Sequence, residues 1–287
     1  MDRLPLTVAG ISIDLHLNHK IKVLKSFEPF LGREGTVHYD VFLSEVMTLP
    51  ETSGTLAYTC EEYSVYKNGS GEDIWFYKDA VSDQMPYAVR RTDWAHRRIN
   101  IHYLKGAEKF FAESGNVFFH IGWEAVLLYE QRFILHASFV RTPYGGLVFS
   151  GPSGIGKSTQ ADLWCRYGGG TMINGDRVIL CKKDGQWFGY GSPYAGSSKC
   201  YVNECCPVKA VFLLQKAQSC ELHTAKISDA FRKLFSQITV NRWNAQDVMA
   251  ACSMTEAIIS DVPVYIYDCT ADVRAVYGLE KELMKGD

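Results

Sequence analysis

The sequence predicts an α/β fold in which a mixed-sheet domain built around a phosphate-binding loop follows a β-rich N-terminal region. Three observations carry that expectation. Residues 1–105 alternate apolar and polar side chains with period two, as in Ile11, Ile13, Leu15 and Leu17 and again in Val37, Tyr39, Val41 and Leu43. From Ser114 the apolar spacing changes to threes and fours, through Phe118, Ile121, Ala125 and Leu128. Between Gly146 and Gly168 an apolar run, a glycine-rich loop and a helical pattern follow one another. The boundary expected from this change is a β-rich region 1–113, a candidate for holding an acceptor, and a nucleotide-binding domain 114–287.

Taken in order, Val8 to Leu17 and Val37 to Leu43 read as strands. Tyr63–Tyr66 and Ile74–Tyr77 flank Asn68-Gly69-Ser70-Gly71, which reads as a hairpin because glycine tolerates positive φ at no steric cost. Arg98 to Tyr103 reads as a further strand. A helix capped near Ser114 is expected to run through Leu128, apolar on nearly all sides and therefore buried. Phe133 to Val140 reads as a strand turning at Pro143–Gly146 into the strand that feeds the loop. Gly168-Gly169-Gly170 ends the loop helix, and Met172 to Leu180 reads as buried strand. A second hairpin is expected at Lys183-Asp184-Gly185-Gln186. Beyond it come strands at Val208–Leu214, near Leu222 and at Val262–Tyr267, with helices at 228–238, at 244–258 and from Asp272.

Composition bounds the function. With 287 residues, 47% of them hydrophobic, the chain can fill a sizeable core, and a net charge of −2 gives no global attraction to nucleic acid or acidic membrane. The cluster Arg90, Arg91, Arg97 and Arg98 reads as a solvated strand face, with recruitment of an acidic partner as the alternative. Met1-Asp2-Arg3-Leu4-Pro5 begins no signal peptide and no stretch approaches about 18 apolar residues, so a cytoplasmic protein without membrane contact is expected. The nine cysteines form no C-x-x-C pair and read as reduced thiols, the adjacent Cys205-Cys206 at the entry to a strand.

The loop carries the chemistry. Gly151, Gly156, Lys157 and Ser158 fill the pattern G-x-x-x-x-G-K-[ST]. Gly151, Gly154 and Gly156 can take the positive φ that turns N–H groups inward, and no Cβ blocks a polyphosphate. Ser153, Ile155 and Thr159 complete the nucleotide-binding run. Lys157 is expected to reach the β and γ phosphates of a nucleoside triphosphate, and the Ser158 hydroxyl to ligate the bridging Mg2+. A chance match in a glycine-rich turn is disfavoured by the strand before it and the helix after it. Asp176, read between apolar neighbours, needs a cation: magnesium, or alternatively Arg177. His136 is expected on a strand paired with the phosphate strand, as a hydrogen-bonded core residue or as a group near the transferred phosphate.

In this arrangement the C-terminal part, roughly 116–287, resembles the HPr kinase/phosphorylase family, which shares its fold with phosphoenolpyruvate carboxykinase. The resemblance is carried by His136 ahead of the loop, GPSGIGKST at 151–159, Gly175-Asp176-Arg177-Val178 and the closing Val262-Pro263-Val264-Tyr265 strand. It is especially similar to the small serine kinases found beside peptide-modification genes, where "HAS", the loop and a "PxxG" segment like Pro193–Gly196 follow in order. The resemblance implies an ATP-dependent kinase with Lys157, Asp176 and His136 catalytic, and with Ser158 and Asp176 as magnesium ligands or their outer shell. It further implies a serine-containing protein, peptide or small-molecule acceptor and allows a homo-oligomer. The family's adjacent aspartates appear here as Gly175-Asp176, so the first carboxylate is missing. That departure motivates a second expectation, a nucleotide-responsive peptide-binding module of weak catalysis. A carboxykinase is disfavoured because no second His/Lys/Asp metal cluster is evident.

Overall fold

The computed structural model describes residues 2–51, 54–79 and 85–284; Met1 of the N-terminal stretch lies outside the described residues. The protein is mixed α/β and divides into two compact units, 1–123 and 124–287. Residues 114–123, grouped by their spacing with the later domain, belong to the first unit.

The first unit holds one eight-stranded mixed sheet. Its strands are β1 (Asp2–Val8), β2 (Ile11–Leu17), β3 (Val37–Val46), β4 (Thr55–Thr59), β5 (Tyr63–Lys67), β6 (Asp73–Lys78), β7 (Pro86–Asp93) and β8 (Arg98–Leu104). They run in the order β1-β2-β3-β8-β7-β6-β5-β4, with β2–β3 and β3–β8 parallel. Alternation places Ile11, Ile13, Leu15, Val41, Leu43, Ile99 and Ile101 in the core, each at most 1% exposed. The Asn68–Gly71 hairpin joins β5 to β6 with Tyr63 opposite Tyr77. Its turn is held by Asn68 Oδ1, which accepts from Ser70 N at 3.0 Å and Glu72 N at 2.9 Å.

Two expectations need correction here. The single helix expected from Ser114 to Leu128 is two, α1 (Ser114–Ile121) and α2 (Trp123–Tyr129), broken at Gly122 with φ 67°. Glycine is required there, because a Cβ would collide with the Arg90 guanidinium. Ser114 is not the cap; its Oγ accepts from Leu24 N at 3.1 Å. Arg90 in turn does not lie on a solvated face. It is 2% exposed, sits 4.1 Å over the Trp75 ring and donates through Nη1 to Ile121 O at 2.5 Å, closing the end of α1.

His120 on α1 is 2% exposed, with Nδ1 2.6 Å from Asn116 O and Nε2 2.8 Å from the Tyr87 hydroxyl. Burial pushes its pKa down to about 4, and the nearby Arg90 charge adds to that. The unfolded chain takes up this proton near 6.5, whereas the folded one waits until about 4. Stability is therefore complete above pH 6.5 and is lost as pH falls towards 4, by about 3 kcal/mol for this one group. In urea melts across that window, His120→Gln should remove this share of the slope.

The second unit is a nine-stranded mixed sheet with helices on both faces. The strands are β9 (Arg132–Thr142), β10 (Gly145–Ser150), β11 (Thr171–Asn174), β12 (Arg177–Lys183), β13 (Gln186–Tyr190), β14 (Cys205–Lys216), β15 (Glu221–Thr224), β16 (Ile238–Thr239) and β17 (Val264–Cys269). The helices are α3 (Lys157–Tyr167), α4 (Ile227–Phe235), α5 (Ala245–Asp261) and α6 (Val273–Leu283). Pairings run in a closed circuit, β9–β10–β14–β13–β12 and back to β9. Along β10 and β14 consecutive apolar residues point to opposite cores. Val148, Val211 and Leu213 pack with Leu234, Met254 and Ile258 of α4 and α5, while Leu147, Phe149 and Phe212 pack with Ala161, Trp164, Val276 and Leu279 of α3 and α6. Cover on both faces is why these strands read as unbroken apolar runs. The hairpin at Lys183–Gln186 is present, with Asp184 at φ 51° and Gly185 at 82°. Among the described residues no helix is long and apolar enough to cross a membrane.

Candidate functional site

The glycine-rich loop links the carboxyl end of β10 to the first turn of α3. β10 is central, parallel to β14 on one side and antiparallel to β9 on the other, so the loop springs from the most constrained strand of the unit. Gly151, Gly154 and Gly156 have φ of 148°, 75° and 117°. Nothing lies within 4 Å of where a Cβ at Gly154 or Gly156 would be, which leaves the inner side of the loop open to a ligand. Ser153 and Gly154 are exposed at the tip and Ile155 is half-buried. Ser158 is half-buried and Thr159 exposed in the first helical turn.

Lys157 folds back over this cradle. Its Nζ donates to Gly151 O at 3.0 Å and to Pro152 O at 3.1 Å. Burial lowers its pKa, and the charge of Asp176 works against that shift. The ammonium is thus held among the loop carbonyls with a carboxylate in electrostatic reach, without a direct ion pair to it. A phosphate would offer stronger, charged acceptors than those two carbonyls.

Asp176 is not in a buried strand. It lies in the turn between β11 and β12, its side chain 30% exposed, because Gly175 and Asp176 interrupt the strand that their apolar neighbours suggest. Its Oδ1 is 3.2 Å from His136 Nε2, and its Oδ2 is 3.8 Å from Arg177 Nε, a loose pair. The sequence allowed magnesium or Arg177 as the partner; the nearest ionisable side chain is His136. That residue sits on β9, next to β10, and Ser150 Oγ donates to its carbonyl at 3.2 Å.

Asn174, fully buried, shapes the turn. Its Oδ1 accepts from Asp176 N at 2.9 Å and Arg177 N at 2.6 Å, while Nδ2 donates to Tyr194 O at 3.1 Å and Ser192 Oγ at 3.2 Å. One side chain therefore ties the Asp176 turn to the loop after β13. That loop packs closely. A Cβ at Gly196, where φ is 54°, would lie 2.9 Å from Asp176 Cγ, and one at Gly175 would strike Ser198. The absent first carboxylate is thus built into the packing: an aspartate at 175 has no room for its Cβ. Asn174 could have been found from the Asn-Gly dipeptide, which signals an Asx turn. Gly196 closes the Pro193–Gly196 segment that the sequence already marks, whereas Ser198 carries no such local signal.

Among the described residues no group of three or more His, Cys, Asp or Glu side chains is placed to hold a metal by itself. A magnesium ion bound with a nucleotide needs less, one or two protein oxygens beside the phosphates and waters, and Ser158 with Asp176 suits that donor set.

No family model and no curated protein matches the chain. Among solved structures it is similar to the Hpr(Ser) kinase/phosphatase from Coxiella burnetii, with 16% identity over 53% of this chain and 88% of that one and a TM-score of 0.32. A likeness of that size carries no functional argument.

Proposed function

We propose that this chain is a magnesium-dependent phosphotransferase that passes the γ-phosphoryl group of ATP to a hydroxyl, foremost a serine hydroxyl, of a peptide, small protein or small molecule. The observation that carries the reading is the His136–Asp176 pair at 3.2 Å, electrostatically coupled to the lysine of an open, positive-φ loop. The amides of Gly151 to Ser158 and the Lys157 ammonium bind and neutralise the phosphates, which is most of what a loose phosphoryl transition state requires. Bound magnesium would supply Lewis-acid neutralisation of the phosphate oxygens, with the Ser158 hydroxyl as its protein ligand and Asp176 in its outer shell.

Asp176 has Oδ1 engaged by His136 and only the loose 3.8 Å contact from Arg177 at Oδ2, so Oδ2 is the oxygen that accepts from the incoming hydroxyl. As that oxygen bonds to the γ phosphorus, the bond to the β–γ bridging oxygen breaks and its electron pair leaves with ADP. The hydroxyl proton passes to Asp176. Such a base contributes about 10²- to 10⁴-fold.

The packing of Gly175 against Ser198 favours a second reading, a nucleotide-responsive binding module that lacks a full carboxylate pair. One experiment separates the two. With γ-labelled ATP, magnesium and a panel of serine, threonine and small-alcohol acceptors, transferred label supports the phosphotransferase. ATP that raises the melting temperature while all label stays on the nucleotide selects the module.

A further inference from the structure

Gln237 lies between α4 and β16 and closes one end of a hydrogen-bond chain that finishes at the Asp176 carboxylate. Its backbone carbonyl accepts from His136 N at 2.9 Å, its Oε1 is 3.3 Å from His136 Nδ1, and its Nε2 donates to Ser236 Oγ at 3.0 Å. The orientation of the amide follows from its neighbour. A hydroxyl has one proton to give, and Ser236 gives it to Lys233 O at 2.7 Å. Ser236 Oγ can therefore only accept from Gln237, which turns Nε2 towards Ser236 and Oε1 towards the imidazole. Facing an oxygen that has only lone pairs, His136 Nδ1 can make this contact only as a donor. The opposite ring nitrogen faces Asp176 Oδ1 at 3.2 Å, an acceptor in its turn, so the geometry calls for an N–H on both sides of the ring. With both nitrogens engaged the ring cannot flip, and its plane decides which carboxylate oxygen is occupied and which is left for the acceptor.

We infer that Gln237 is a positioning residue of this site, acting through His136 on Asp176; the inference rests on the phosphotransferase reading. Gln237 touches no reacting atom. Its main chain is fixed independently of its side chain, by the bond from His136 N and by the pairing of Ile238 with Leu135 on β9, so the amide can be replaced without moving the scaffold. Outer partners that orient a functional histidine are commonly worth about 10- to 100-fold in activity.

The test uses the full chain as wild type, Gln237→Leu, Gln237→Glu, His136→Ala and the double variant His136→Ala/Gln237→Leu. Two readouts are taken at one fixed pH: the ¹⁵N ring shifts of His136 and the kinetics of phosphoryl transfer. The wild type should show an N–H at both ring nitrogens, and Gln237→Leu should lose the one at Nδ1. Gln237→Leu should lower kcat about 10- to 100-fold with KM for ATP unchanged, and Gln237→Glu, which still accepts from Nδ1, should recover to within about threefold of wild type. The double variant should be no slower than His136→Ala. A wild-type Nδ1 without its proton, a wild-type kcat in Gln237→Leu, or losses that multiply in the double variant would overturn the inference. If the wild type transfers nothing, the phosphotransferase reading fails and the ring spectrum alone decides: loss of the Nδ1 proton in Gln237→Leu supports the role of Gln237, and an unchanged spectrum refutes it.

Discussion

Lys157→Ala should reduce phosphoryl transfer by at least about 10³-fold while leaving the melting temperature within about 3 °C of wild type. The two halves of this expectation have different origins. The ammonium bonds only carbonyls of its own loop, Gly151 O and Pro152 O, and burial already lowers its pKa, so the fold gains little from the charge. The β and γ phosphates of a bound nucleotide, in contrast, would meet no other lysine in the loop. Initial-rate assays with labelled ATP, beside calorimetric melts, check both halves. A large loss of stability would mean that Lys157 is a scaffold residue.

Asn174→Ala should be the most damaging change outside the loop. It strips the turn of an acceptor for Asp176 N and Arg177 N and strips the 192–194 loop of its donor, in a position with no access to water. Unmet partners of this kind cost about 1–3 kcal/mol each, so a loss on the order of 3 kcal/mol is expected in urea unfolding. Transfer should fall as well, even well below the melting temperature, because the Asp176 turn is no longer fixed. Asn174→Asp keeps the acceptor and loses the donor, and should fall between the two.

Much of this was legible because local rules and global packing agree. Strand β10, the glycine-rich loop and α3 lie where the glycine pattern and the helical spacing put them, and both hairpin turns are set by residues that accept positive φ. The sequence misled where a long-range partner decides. Arg90 looked like a surface cation until Trp75 and the end of α1 enclosed it, and that same guanidinium requires the break at Gly122. Asp176 looked like buried strand because apolar residues flank it, whereas Asn174 folds the chain into a turn there. Gln237, 101 residues from His136, meets it only because β16 pairs with β9. No periodicity carries such a meeting.

The central claim is that the loop from Gly151 to Ser158 is a nucleoside triphosphate site. Isothermal titration of the wild type and of Lys157→Ala with magnesium and ATP addresses it most directly. The expected result is saturable binding of one nucleotide per chain in the wild type, weaker for the monophosphate and largely lost in Lys157→Ala. Absence of binding in the wild type, or equal binding in Lys157→Ala, would contradict the account.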